Sequence, residues 1–215
     1  MKHHRLFLFI WIFASVFFAE DSSVYQVPIH GTIDMGLPYY IQRVVNEAEE
    51  NNSNVIIFDI DTFGGRVDAA TQIKDIILDS KITTIAFVNK RAISAGALIA
   101  LSCDSIFMTP GASIGAATAV DLQGNKASEK VISYMREEMA STAEANNRSR
   151  SIATAMVDEE LSIDFLLNIQ GDTLTAKNVE GFAKGKLITL STRLAVQLHI
   201  ADGEFERIGD VLKYL

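Results

Sequence analysis

The chain has one cysteine, Cys103, so no disulfide can close within it. Cys103 lies in an apolar run, where a free thiol is expected to pack as a small hydrophobe. The four histidines, His3, His4, His30 and His199, are scattered and share no metal-ligand spacing with the cysteine, so no metal is expected. Basic residues are outnumbered: 19 Lys and Arg stand against 27 Asp and Glu, for a net charge of −8. Such a chain offers no broad basic face, which excludes nucleic acid as the expected partner. Neither GxxxxGK[ST] nor GxGxxG occurs, so no nucleotide loop and no cofactor is expected. Low-complexity tracts, internal repeats and interdomain linkers are also missing. Beyond the N-terminus, no apolar run reaches the ~20 residues that a spanning helix needs.

The N-terminus is of a different kind. Met1-Lys2-His3-His4-Arg5 is basic, and Leu6 to Ala19 is apolar apart from Ser15. That pattern predicts a signal peptide or N-terminal anchor over 1–19, with cleavage after Ala19. Phe17 departs from the small-x-small cleavage rule, so an uncleaved anchor stays open. Either outcome places the remainder outside the cytoplasm, in the periplasm or at the cell surface. Residues 20–215 are long enough for one well-buried core, and 48% hydrophobic with 21% charged residues describes a globular domain.

Within it, Val24–Asp34 reads as a strand. Ile41, Val44, Val45 and Ala48 give the following segment a helical stripe. Asn54–Asp61 is continuously apolar, as strands buried on both faces are. Val67, Ala70, Ile73, Ile76 and Ile77 mark a second helix, Thr83–Asn89 a third strand, Ser94–Cys103 a third helix and Ser105–Pro110 a fourth strand. Strands regularly separated by helices predict parallel βαβ units. After Gly115 comes a polar flap, then a long helix behind Ser128, a short helix over Ser151–Leu161, and a hairpin or small sheet over Thr173–Ser191. A helix ending at a Gly203 C-cap and a last helix to Leu215 complete the α/β domain.

Two stretches can carry chemistry. In "DIDTFGGRVDAA", the Gly64–Gly65 pair is expected to form the turn between strand and helix. Its backbone amides, bare of Cβ, are then available to an anion or an acyl oxyanion. The plain alternative is a tight structural turn. In "RAISAGALIALSC", a loop over Lys90–Ile93 delivers Ser94 to a helix start, with the Ala95 amide beside it. Read alone, Ser94 is an N-cap. A nucleophilic serine needs a base, and no histidine follows the helix where one would serve. Lys130, near the start of the long helix among Val131, Ile132 and Tyr134, is the remaining option. A lysine acts as a base when desolvation or positive potential brings its amine from a pKa of ~10.4 toward neutrality. Otherwise Lys130 is a solvated surface residue.

The ordered set "DIDTFGGRVDAA", "AISAGALIALSCDSIFMTPGASIGAA", "SEKVISYMREEMASTAEANNR" and "GKLITLSTRLAVQLHIADG" resembles the protease domain of the NfeD family. These are membrane-associated, ClpP-class serine proteases often encoded beside stomatin-like proteins. The resemblance implies a ClpP/crotonase-like spiral of repeated ββα units and a Ser-Lys dyad. It places the nucleophile at Ser94, the base at Lys130, and the oxyanion hole around Gly64, Gly65 and Ala95. It implies groove positions at Phe63, where the family has proline, and at Ser113. The implied substrate is a peptide or protein, including the apolar C-terminal segment of a stomatin-like membrane protein, and the implied assembly is a homo-oligomer. Two alternatives stay open: a crotonase-like acyl-CoA hydratase or isomerase, and a non-catalytic scaffold of the same fold.

Overall fold

Ile56, Ile57 and Phe58 are consecutive apolar residues, and a strand of that kind must be covered on both faces. In the computed structural model, which describes residues 23–121 and 123–215, they lie inside a central sheet. The expected leader, residues 1–19, lies outside the described residues. Strands and helices alternate as the apolar periodicity requires: β1 (Val24–Ile33), α1 (Leu37–Glu50), β2 (Val55–Gly65), α2 (Val67–Leu78), β3 (Thr83–Ile93), α3 (Ala95–Ser102) and β4 (Ser105–Met108). β1, β2, β3 and β4 pair in that order, all parallel. β9 (Gly203–Glu204) adds a parallel strand beyond β4.

The lower half of β3, Ile85–Val88, pairs with β4, while its upper end, Arg91–Ile93, pairs with β5 (Ser113–Gly115). β8 (Thr189–Ser191) then pairs antiparallel with β5. One face of the sheet carries the main core, closed by the buried stripes of α1 and α2, by α3, and by α4 (Glu129–Ala145) and α5 (Arg150–Ala155). On the other face Ile57, Ile85, Phe87 and Phe107 pack under α7 (Ile208–Tyr214) through Val211. The Arg148 guanidinium, 3% exposed, fastens the far end of α3. It donates to the carbonyls of Cys103, Asp104 and Ile200 and to Asp202 Oδ2. Cys103 is buried, and burial pushes its thiol well above the ordinary range, as a structural cysteine's would be.

Several local expectations are corrected. β2 runs through Gly64 and Gly65, so the glycine pair is strand and not turn, and α2 begins only at Val67. β3 likewise runs to Ile93, leaving no loop before Ser94. The short helix α5 stops at Ala155, well before Leu161. Thr173–Leu174 (β7) pairs with Leu166–Leu167 (β6), while Thr189–Ser191 joins the main sheet as β8. α6 (Thr192–Gln197) ends without a glycine cap; the left-handed residue after it is His199, at φ 55°, and Gly203 belongs to β9.

Candidate active site

Every residue of α3 is buried, so this helix sits in the core and its start is fixed by packing on all sides. One residue, Ser94, joins β3 to α3. It is half-buried, with φ 57° and ψ −121°, the backbone glycine adopts at the first central position of a type II′ turn. For a residue with a Cβ this region costs ~1–3 kcal/mol, which the surroundings must impose. They do: the Ser94 N–H donates to the Gly115 carbonyl at 3.0 Å, and the Ser94 carbonyl accepts from Ala97 N–H at 2.9 Å. The hydroxyl caps nothing, and Oγ makes no hydrogen bond among the described residues. Ser94 thus holds the N-cap position without acting as a cap. A strained strand–serine–helix turn is a general device for presenting an Oγ.

Gly64, at φ 108°, backs onto this hydroxyl: a Cβ there would lie 2.6 Å from Ser94 Cβ and 3.1 Å from its Oγ. At Gly65 a Cβ would meet the Ile33 carbonyl oxygen at 2.1 Å, so β1 approaches as only glycine permits. The Gly64 N–H already donates to Thr62 Oγ1 at 2.9 Å. The Thr62 hydroxyl in turn donates to the Gly31 carbonyl, and its methyl fills the space above Gly96. Thr62 therefore braces β1, the glycine pair and the first turn of α3 at once. Sequence reasoning passed over it; the only signal was a polar residue on the buried face of an apolar strand.

Gly65 opens onto a cleft of about 950 Å³. Thr32, Arg66, Val67, Asp68 and Thr71 form one side, and Val120 from the flap with Val131 and Tyr134 from α4 form the other. Tyr134 Oη lies 3.5 Å from Thr71 Oγ1 across it. At the rim Arg66 Nη2 sits 2.6 Å from Asp68 Oδ2, and this hydrogen bond holds the Asp68 carboxyl below the usual carboxylate range.

The structure brings Ser94, Gly64 and Thr62 together and sets Ala95 directly after Ser94, with Gly65 at the cleft. Lys130 makes no hydrogen bond with Ser94. Lys130 is the second residue of α4, exposed, with no hydrogen bond or ion pair among the described residues. Ser128 occupies the N-cap position of α4, but its side chain makes no capping bond. Phe63 is exposed under the Arg91 guanidinium, 4.4 Å from ring centroid to Cζ, while Ser113 is in register with Arg91 and Ser191; neither lines the cleft. No histidine bonds Ser94 among the described residues: His30 Nε2 is 3.2 Å from Asp59 Oδ2. Nor do the described residues hold a group of three His, Cys, Asp or Glu that could bind a metal.

This geometry accounts for a glycine prediction. Gly64→Ala forces its methyl into the Ser94 side chain, and displacing a reacting atom by about 1 Å costs ~10²-fold. The reactivity of the Ser94 hydroxyl toward a fluorophosphonate is expected to fall at least that far. A folded Gly64→Ala protein that reacts as fast as the parent would show that Ser94 is not the reacting group.

Compared with known proteins, residues 23–215 match the family described as NfeD1b, N-terminal domain. The membrane protein NfeD1b of Bacillus subtilis (strain 168) is 38% identical over 92% of this chain and 42% of its own length. The membrane-bound protease PH1510 of Pyrococcus horikoshii is 32% identical over 76% of this chain and 39% of its own. The chain therefore spans about two-fifths of either relative. Among solved structures, the 1510-N membrane-bound stomatin-specific protease aligns at TM-score 0.71 and 27% identity, covering 88% of this chain. It is represented by a Ser-to-Ala mutant, covered over 83% of its length, and by a Lys-to-Ala mutant in complex with a substrate peptide, covered over 78%. ClpP1 from Listeria monocytogenes aligns at TM-score 0.60 and 22% identity over 86% of this chain and 94% of its own, a likeness of fold alone. With residues 23–215 matched throughout and 38% identity to NfeD1b over 92% of this chain, it belongs to the NfeD1b N-terminal domain family.

Proposed function

We propose that this domain is a serine endopeptidase in which Ser94 is the nucleophile and Lys130 the general base. The observation that carries the reading is Ser94 itself: a strained strand-to-helix turn whose hydroxyl caps nothing and faces a glycine. A relative named as a protease and a solved Lys-to-Ala form holding a substrate peptide support it further. Neutral Lys130 takes the hydroxyl proton as Ser94 Oγ attacks the peptide carbonyl. The backbone amides of Gly65 and Ala95 are the donors offered to the oxyanion, since that of Gly64 is already engaged by Thr62. A donor of this kind is worth about 3–4 kcal/mol in the transition state. Lys130 then gives its proton to the leaving amine, and water releases the acyl group from Ser94. The relative named as a membrane-bound protease favours this reading over the crotonase alternative.

The substrate reading follows the cleft. Val67, Val120, Val131 and Tyr134 present apolar surface to whatever lies between flap and α4. An apolar peptide segment fits such walls, and the stomatin-specific relative makes the C-terminal segment of a stomatin-like membrane protein the candidate. Export and membrane attachment through residues 1–19, and assembly into a homo-oligomer, belong to the same proposal. No helix among the described residues is long and apolar enough to cross a membrane.

The test is covalent labelling and cleavage. A fluorophosphonate is expected to modify Ser94, and an apolar peptide to be cut. Val131→Asp should raise KM for that peptide by ~10–100-fold, the worth of one buried apolar side chain. Absence of both labelling and cleavage would leave the scaffold reading in its place.

A further inference from the structure

Lys130 lies in a helical turn that its own cap does not secure, since the Ser128 hydroxyl makes no capping bond. Another residue does the securing. Arg136, two turns along α4, donates through Nη2 to Glu129 Oε1 at 2.7 Å and through Nη1 to Asp158 Oδ2 at 2.6 Å. The Glu129 carboxylate is 76% exposed, so that half of the bridge is weak. The Asp158 side chain is 8% exposed and is held at its other oxygen by the Glu160 N–H at 3.0 Å. A buried carboxylate gripped on both oxygens is a fixed post, and Arg136 leashes the first turn of α4 to it.

The flap is moored to the chain segment that carries this post. The Ala117 N–H donates to the Met156 carbonyl at 2.6 Å, and the Thr118 hydroxyl donates to the Val157 carbonyl at 2.6 Å. At the flap's far end Lys126 Nζ lies 2.9 Å from Glu159 Oε1. Residues 156–159 thus anchor both ends of the flap and, through Asp158, the helix turn that carries Lys130.

We infer that Arg136 and Asp158 are positioning residues for the proposed reaction: their ion pair holds the first turn of α4, and with it Lys130, in register with the flap over the cleft. The inference rests on the Ser94–Lys130 reading. Arg136 touches neither substrate nor reacting atoms; it acts through the helix turn. Losing the pair lets that turn swing, which spoils proton transfer more than it spoils peptide binding.

The experiment measures peptide hydrolysis in Arg136→Met and Asp158→Asn, each also combined with Lys130→Ala, with the rate of Ser94 labelling by a fluorophosphonate as second readout. Each single variant is expected to lower kcat at least ~10-fold, the pattern of lost orientation, and to raise KM by a smaller factor, since Val131 in the same turn walls the cleft. In the Lys130→Ala background neither substitution should change the residual labelling rate, because the group they position is gone. Arg136→Lys, which keeps a cation on Asp158 but cannot reach both carboxylates, should give an intermediate kcat and guards against a failure of Arg136→Met to fold. Unchanged kcat in folded Arg136→Met or Arg136→Lys overturns the inference, as does an equal fold-loss with and without Lys130. Full activity in Lys130→Ala alone defeats instead the underlying dyad.

Discussion

Ser94→Ala is expected to lose peptide hydrolysis by roughly 10⁴–10⁶-fold, as enzymes do when the nucleophile is removed, and to lose fluorophosphonate labelling altogether. Its fold should survive, because the Ser94 hydroxyl makes no hydrogen bond that alanine would forfeit. A companion variant sharpens the result. Ser94→Gly should be equally inactive yet more stable than the parent. At φ 57° and ψ −121° glycine escapes the strain of ~1–3 kcal/mol that a Cβ incurs. Against this stands glycine's greater freedom in the unfolded chain, ~0.5–1 kcal/mol. The balance, about 1 kcal/mol, corresponds to a Tm rise of ~2–4 °C in a domain of this size. Stability gained as activity is lost marks a residue held in place for function. If Ser94→Gly is instead less stable, the turn is not strained by the serine. If Ser94→Ala keeps full hydrolysis, the nucleophile lies elsewhere.

The route to Ser94 was legible in part. The apolar runs of β2 and β3 and the stripes of α1 and α2 follow from burial, which composition and period record directly. The small, mostly apolar residues of α3 mark a helix with a serine at its mouth. What sequence conveyed poorly is backbone geometry. A Gly-Gly pair looks like a chain breaker, so Gly64 and Gly65 read as a turn. In the structure both remain in β2, and they are glycines because Ser94 and Ile33 press against them. Nothing in a serine codon signals a positive φ; that sign comes from β3, β5 and α3 closing around it. Thr62 went unread for a related reason, since two of its three contacts, with Gly31 and Gly96, come from segments far from it in the chain. The pairing of β8 with β5 was illegible on the same ground: short strands meeting across a long separation leave no local period. Lys130 is different again. Spacing alone left it a surface lysine, resemblance made it a base, and the structure finds it exposed.

That exposure shapes the last prediction. In water an amine holds its proton, and a lysine serves as base only where water is excluded. Here Val131 and Tyr134, the neighbours of Lys130 along α4, wall a cleft that an apolar peptide would fill. A bound peptide would therefore supply the water exclusion that the free domain lacks, and hydrogen bonds among catalytic groups commonly tighten only in such complexes. Lys130→Ala is expected to lower peptide hydrolysis by ~10²–10⁴-fold, the usual worth of a general base. Lys130→Arg should fall as far, because a guanidinium keeps the charge but cannot give up its proton. Loss of Lys130 should also weigh more on peptide cleavage than on labelling by a small fluorophosphonate, which leaves the cleft open to water. Retained activity in Lys130→Arg would make the lysine a mere counter-charge. An equal loss on peptide and reagent would show that the peptide does nothing to prepare its own base.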